Sequence, residues 1–162
     1  FSLIKASAAR ASAGCVCTSI ESFSTSFFWY TDGPSDVLHL GPVWDFDIAF
    51  GNVNYNDNDK PEGLWIAGAS WYQRLLTDPY FEEKVRTRFM FYYGKKAELL
   101  KFIDDYAAYL KPYVDRNEER WHTMDQLLWA NNEVFDTYEE YVASLKKWLS
   151  ARMDWMKMNY GL

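Results

Sequence analysis

The chain has 162 residues, a formal net charge of −6 and a pI near 4.9. That length suits one domain with one core, and an aromatic share of 19% excludes a disordered composition. The acidic balance, with no basic block, argues against nucleic acid as a partner, and no apolar run is long enough to span a membrane.

Residues 1–22 are rich in Ala and Ser and almost free of aromatics. They read as a weakly specified segment, either foreign to the domain or truncated. The opening "FSLIKASAARASAGCVC" has no continuous apolar region of the kind a signal peptide needs, and the missing Met predicts a fragment. Cys15 and Cys17 form C-x-C with no second pair, so a zinc site is a weak reading and plain thiols are preferred. From Phe23 onward aromatics recur every few residues, which sets the domain at 23–162.

"SFFWY", the turn-dense "TDGPSD" and the apolar "VLHLGPVWDFDIAF" predict a β-hairpin over about residues 26–51. Gly41-Pro42 should interrupt its second strand, because Pro cannot donate a ladder hydrogen bond. "GNVNYNDNDKPEG" follows as a long polar loop. Helices are expected over about residues 69–160. "SWYQRLLTD" is a short amphipathic one. Asp78-Pro79 supplies an N-cap and a first-turn Pro for the next, which places Phe81, Val85, Arg88, Phe89 and Tyr92 on one face and stops near Gly94. A third begins near Lys95 with Leu99, Phe102, Ile103, Tyr106 and Leu110 at helical spacing, and Pro112 should kink or restart it before "VDRNEERW". The last carries Tyr138, Tyr141, Val142, Leu145, Trp148, Leu149 and Arg152 on one stripe. Either Asp136 with Glu139 or Thr137 with Glu140 makes its capping box, and Gly161 lies past its end. The fold class is α+β, mostly α: a small β-hairpin followed by a helical bundle.

The stretch "GPVWDFDIAFGN" carries the strongest chemistry. Strands avoid Asp, yet Asp45 and Asp47 stand two apart among Trp, Phe, Val and Ile. On a strand both would point to one face and repel unless protonated or bridged by a cation. Mg²⁺ takes oxygen ligands, with phosphate and water completing its octahedron, so D-x-D at a strand end suits a metal–phosphate platform. The bland alternative has one Asp capping a turn and the other pairing with Arg74 or Arg88.

Other candidates are weaker. Asn54, Asn56 and Asn58 alternate like the start of a calcium loop, but Asp59 replaces the glycine and Trp65 the last acid, so a solvated turn is preferred. His39 reads as structural and His122 as a helix-surface or packing residue, with no nucleophile motif beside either. Neither a P-loop nor a dinucleotide fingerprint occurs. Trp65, Trp71, Tyr72, Trp121 and Trp129 are free of the helix stripes, which leaves a sugar-binding surface as a minor reading.

The W-D-F-D-x-x-x-G-N string resembles the CotH kinase family, the spore-coat-type atypical protein kinases. "SFFWY", "WYQRLLTDPYFEEKVRTRF", "NEERW" and "LKKWLSARMDWM" recur in family order, so the resemblance covers about residues 26–160. It implies the C-terminal lobe of an atypical protein kinase, with Mg²⁺-dependent phosphoryl transfer from ATP to protein Ser/Thr in the intact protein. It also implies that Asp45 is the counterpart of the Asp in the kinase D-F-G, with Asp47 as a second acidic neighbour; both would hold metal and cofactor. The nucleotide lobe, its Lys and the acceptor-orienting Asp would lie upstream. Ser24, Thr25 and Ser26 stand where the family tends to have acids or amides. The isolated chain is therefore expected to be inactive and to self-associate through exposed apolar surface. The competing reading is a non-catalytic binding or structural module at a bacterial cell surface. Neither the protein substrate nor the compartment is legible from the residues.

Overall fold

The computed structural model describes residues 29–34, 39–40, 47–55, 57–68, 70–129 and 131–160. Cys15, Cys17, Asp45 and the segment 1–22 lie outside the described residues, as does Gly161. The chain is mostly helical with few strands. Strands β1 (Trp29–Tyr30) and β2 (His39–Leu40) pair antiparallel, Trp29 opposite Leu40 and Tyr30 opposite His39. Among the described residues four α-helices follow: α1 (Ser70–Leu76), α2 (Pro79–Tyr93), α3 (Lys96–Trp121) and α4 (Tyr138–Tyr160). Helix α4 is the hub, with α3 along one side and α2 along another, while α1 packs on α2.

Of the hairpin expected over residues 26–51, the described residues show antiparallel pairing over two residues on each side, and from Asp47 to Phe50 the chain is a 3₁₀ turn. Ala49, fully buried, and Gly51, at φ +82°, explain this locally. A tight turn ending in a left-handed glycine fits the two smallest residues of the stretch, whereas a strand would need neither. Asp47 therefore opens a turn and does not sit on a strand face.

Local chemistry sets the helix ends. The Asp78 carboxylate accepts from the Tyr80 N–H at 2.9 Å, and Pro79 follows in the first turn. Of the two capping boxes open to α4, Thr137 with Glu140 forms: Thr137 Oγ1 accepts from the Glu140 N–H, and Glu140 accepts from the Thr137 N–H. Gly94 does stop α2, but the N–H groups of Gly94 and Lys95 turn back to Met90 and Tyr92 and α3 starts at once.

Helix α3 is continuous through Pro112, without the restart that residue suggests. Pro costs the i−4 hydrogen bond of Ala108, which is exposed, so water can satisfy that carbonyl. The Arg116 Nε–H meanwhile donates to the Pro112 carbonyl at 3.2 Å. His122, at φ 47°, ends the helix by donating its N–H to the Glu118 carbonyl. The Glu118 carboxylate then accepts from the N–H groups of Thr123 and Met124, and these bonds hold its pKa below the ordinary range.

The core is small and aromatic. Tyr72 and Phe81 meet edge to face, Phe89 is buried beside them on α2, and Leu149, Met153 and Met156 close the α4 side. Each such side chain contributes about 1.5–3 kcal/mol on burial. The stripe read on α3 splits in two. Leu99, Ile103 and Leu110 are half-buried, whereas Phe102 and Tyr106 face solvent. Tyr72 lies in the core and is lost to any sugar-binding surface.

A polar knot ties three helices. The Lys96 ammonium donates to Asp154 at 2.7 Å and to the Ser150 carbonyl at 3.2 Å, and the Tyr93 hydroxyl donates to Asp154 at 3.0 Å. The Lys96 bond first, then Tyr93, holds the Asp154 carboxyl below its usual range. A depressed carboxyl stabilises the fold above its unfolded pKa, near 3.9, and this contribution disappears as pH falls through the lower folded value. Asp154 is half exposed, so screening limits the effect to about 1 kcal/mol or less. Asp154→Asn should lower stability at pH 7 and flatten the acid limb of stability against pH in urea melts. An unchanged acid limb would remove the knot from the account.

Candidate functional site

The motif's downstream half is placed by α4. The Phe50 ring meets Trp148 edge to face, with centroids 6.1 Å apart. Gly51 lies directly against the Trp148 indole, where any Cβ would overlap the ring. Position 51 thus demands glycine twice, for its positive φ and for the close approach. Val53 is buried, and Asn52 between them is exposed. Glycine and asparagine in W-D-F-D-x-x-x-G-N are therefore a docking turn, one residue inward and the next outward.

The polar loop that follows is fastened to the same helix. Trp148 Nε1–H donates to the Asp59 carbonyl at 2.7 Å. Arg152 is fully buried; its Nη1 donates to the Pro61 carbonyl at 2.9 Å and also to that of Gly63. Its guanidinium lies 5.3 Å from the Trp155 ring. Three loop carbonyls are thus consumed by two side chains one helical turn apart. Within the loop, Asp57 is left-handed at φ 57°, and the Lys60 ammonium donates to its carboxylate at 2.7 Å. That bond raises the Lys60 pKa.

The described residues of 54–59 form the turn expected, with Asn54 and Asp57 exposed, but Asn58 departs from a fully solvated one. Asn58 is 4% exposed, and the Asn54 amide donates to the Asn131 carbonyl. Asn56 lies outside the described residues. No cluster of three acidic, His or Cys residues suited to a metal occurs among the described residues.

Between the Gly51–Asn52 turn and α4 lies a cleft of about 480 Å³. Its apolar floor includes Tyr141, Leu145 and Trp148, and Asn52, Asp59, Glu133 and Lys147 line its polar side. Ser144 donates to Glu133 at 2.8 Å. Tyr141 braces the far wall: its hydroxyl donates to the Met124 carbonyl at 2.7 Å and accepts from the Phe135 N–H. The volume is that of a small-molecule site, apolar at the base with a few polar groups above. Sequence reading missed Lys147 and Glu133, which look like ordinary surface charges and enter the cleft only through the fold.

The remaining candidates are dispersed. Asp47 begins the 3₁₀ turn four residues before Gly51. Arg88 lies over the Phe91 ring, at 5.8 Å, and Arg74 is exposed near the end of α1. His39 stacks on Tyr30 at 5.0 Å, and His122 is a helix cap. Trp129 is exposed and stacks on Tyr55, and Trp121 is exposed at the end of α3.

Two substitutions test the docking turn and its fastening. Gly51→Ala should cost about 2 kcal/mol or more, from positive φ and overlap together. Arg152→Ala should cost about 3 kcal/mol or more, because it opens a cavity and strands two carbonyls. Urea unfolding reads both, and losses under 0.5 kcal/mol would show that the turn is not held as described.

The sequence matches the family model described as CotH kinase protein over residues 14–156. This match reaches further toward the N-terminus than the motifs alone indicate and takes in Cys15 and Cys17. Neither the curated proteins nor the solved structures contain a significant match to the chain. With Phe50 and Gly51 of the motif docked on α4 and most of its length inside the matched range, the chain belongs to the CotH kinase protein family.

Proposed function

We propose that the chain supplies the helical C-terminal part of a CotH-type protein kinase, which transfers phosphate from ATP to protein Ser or Thr with Mg²⁺. Asp45 and Asp47 are the residues that would hold the metal. The observation that carries this reading is the placement of the motif's end, pinned to α4 at Gly51 beside a small-molecule-sized cleft.

The donor set suits the ion. Two carboxylates and the exposed Asn52 amide fall within one short stretch, all oxygen donors, which favours Mg²⁺ over zinc or copper. When bound, the metal would neutralise the phosphate oxygens. The chain's own residues do the rest. The Gly51 contact anchors the turn that follows Asp47, and Lys147 is the lysine on the cleft wall that an anionic group could meet. Among the described residues no helix is long and apolar enough to cross a membrane.

Mn²⁺ tests the metal ligands without relying on activity. Added in place of Mg²⁺, it should broaden the backbone amide signals of Gly51 and Asn52 in NMR spectra, and Asp45→Asn or Asp47→Asn should each abolish the effect. Broadening confined to the Asp57–Glu62 loop, or indifferent to both variants, would overturn the assignment and favour a non-catalytic module. In the active kinase, Asp45→Asn should lower phosphate transfer by about 100-fold or more.

A further inference from the structure

Helix α3 carries a second apolar face that its own fold does not use. Phe102, Tyr106, Tyr109 and Tyr113 are exposed by 61, 51, 61 and 52%, unusual for four aromatics on one helix. Their rings touch in series, with centroids 5.5, 5.7 and 5.9 Å apart, and the Arg116 guanidinium continues the row 5.2 Å from Tyr113. The spacing is four, three, four and three residues. That spacing keeps all five side chains in one narrow stripe along the helix, as a helix–helix seam requires. The opposite side of α3, through Asp104, Ala107 and Lys111, is turned toward α4.

We propose that this seam is a homodimer interface, in which two copies of the chain pack α3 against α3 in antiparallel orientation. Three observations select a second copy as the occupant. The first is self-complementarity: in antiparallel register Phe102 of one copy faces Tyr113 of the other, and Tyr106 faces Tyr109. Every aromatic then meets an aromatic about a two-fold axis.

The second observation is charge. In a parallel pair Arg116 would face Arg116 across the seam. In the antiparallel pair each Arg116 lies beside Glu98 of the other copy, and Lys101 lies near Asp115. The third is area. Aromatic side chains carry about 150–250 Å² each, so these four leave roughly 450 Å² exposed per copy. Two copies withdraw roughly 900 Å² through the rings alone, and the flanking charged stems bring the total close to the ~1,200 Å² at which specific interfaces begin. Tyrosine suits such a seam, since its ring is buried while its hydroxyl stays wet at the rim.

Sedimentation equilibrium from about 1 to about 500 µM tests the proposal across the range of a modest interface. The mass should rise from 19.1 kDa toward twice that value. The double variant Phe102→Ser/Tyr109→Ser removes two exposed rings, should keep its circular dichroism spectrum, and should remain monomeric. Arg116→Glu alone should weaken the dimer by about tenfold, and Glu98→Arg added to it should restore the dimer. A monomer at every concentration overturns the proposal, whether the stripe is covered by another part of the chain or by a glycan. A dimer indifferent to both the serine variant and the Arg116 variant also overturns it, and a dimer strengthened by Arg116→Glu overturns the antiparallel orientation.

Discussion

The structure depends on one buried cation. Arg152 sits where α4 is least exposed, and its guanidinium reaches the carbonyls of Pro61 and Gly63. A polar loop cannot be buried against a helix unless its carbonyls find donors. Lysine could deliver only a compact ammonium on a flexible stem; the planar fork of arginine suits several fixed acceptors at once and is less strongly hydrated. One turn earlier on the same helix, Trp148 supplies a further donor together with a ring face. These two side chains fasten residues 59–63 to α4, while Asn52, Asn54 and Asp57 stay exposed on the outer side of the loop. The cleft beside the motif exists because that loop stands away from the segment preceding α4.

Much of this was legible. Stripe residues Leu149 and Arg152 of the last helix are both buried, and the Asp78-Pro79 and Thr137–Glu140 signals mark helix starts because capping is local chemistry that tertiary structure seldom overrides. Arginine on an apolar stripe was itself the clue to the clamp, but its acceptors, about ninety positions away, are backbone atoms without a side-chain signature.

The misreadings have physical causes. "DFDIAF" alternates and is rich in strand formers, so its pattern says strand, yet Gly51 must approach Trp148 and the chain tightens into a 3₁₀ turn to reach it. On α3, periods of 3.5 and 3.6 residues are indistinguishable over three turns, so a core-facing row of Leu and Ile merged with a solvent-facing row of Phe and Tyr. Pro112 does not restart the helix. A proline on the exposed side of a long helix loses one hydrogen bond that water replaces, and the residues on both sides keep the helix going.

The clamp also bears on how a D-x-D platform can work. Two carboxylates on a mobile segment would repel and disperse, and a cation would have to order them at an entropic cost on binding. Anchoring the segment immediately downstream moves that ordering into folding, where burial of Val53, Ala49 and the Trp148 contact already supports it. The helix that carries the clamp does not itself carry the acids, so a substitution at Trp148 or Arg152 should reach the proposed metal site through backbone placement and not through lost ligands. Site quality and fold stability are therefore linked through α4, whereas the aromatic seam on α3 lies on the side of that helix away from α4. Changes to the seam can alter assembly without touching the platform, which makes the two surfaces separable by mutation even though one small core holds both.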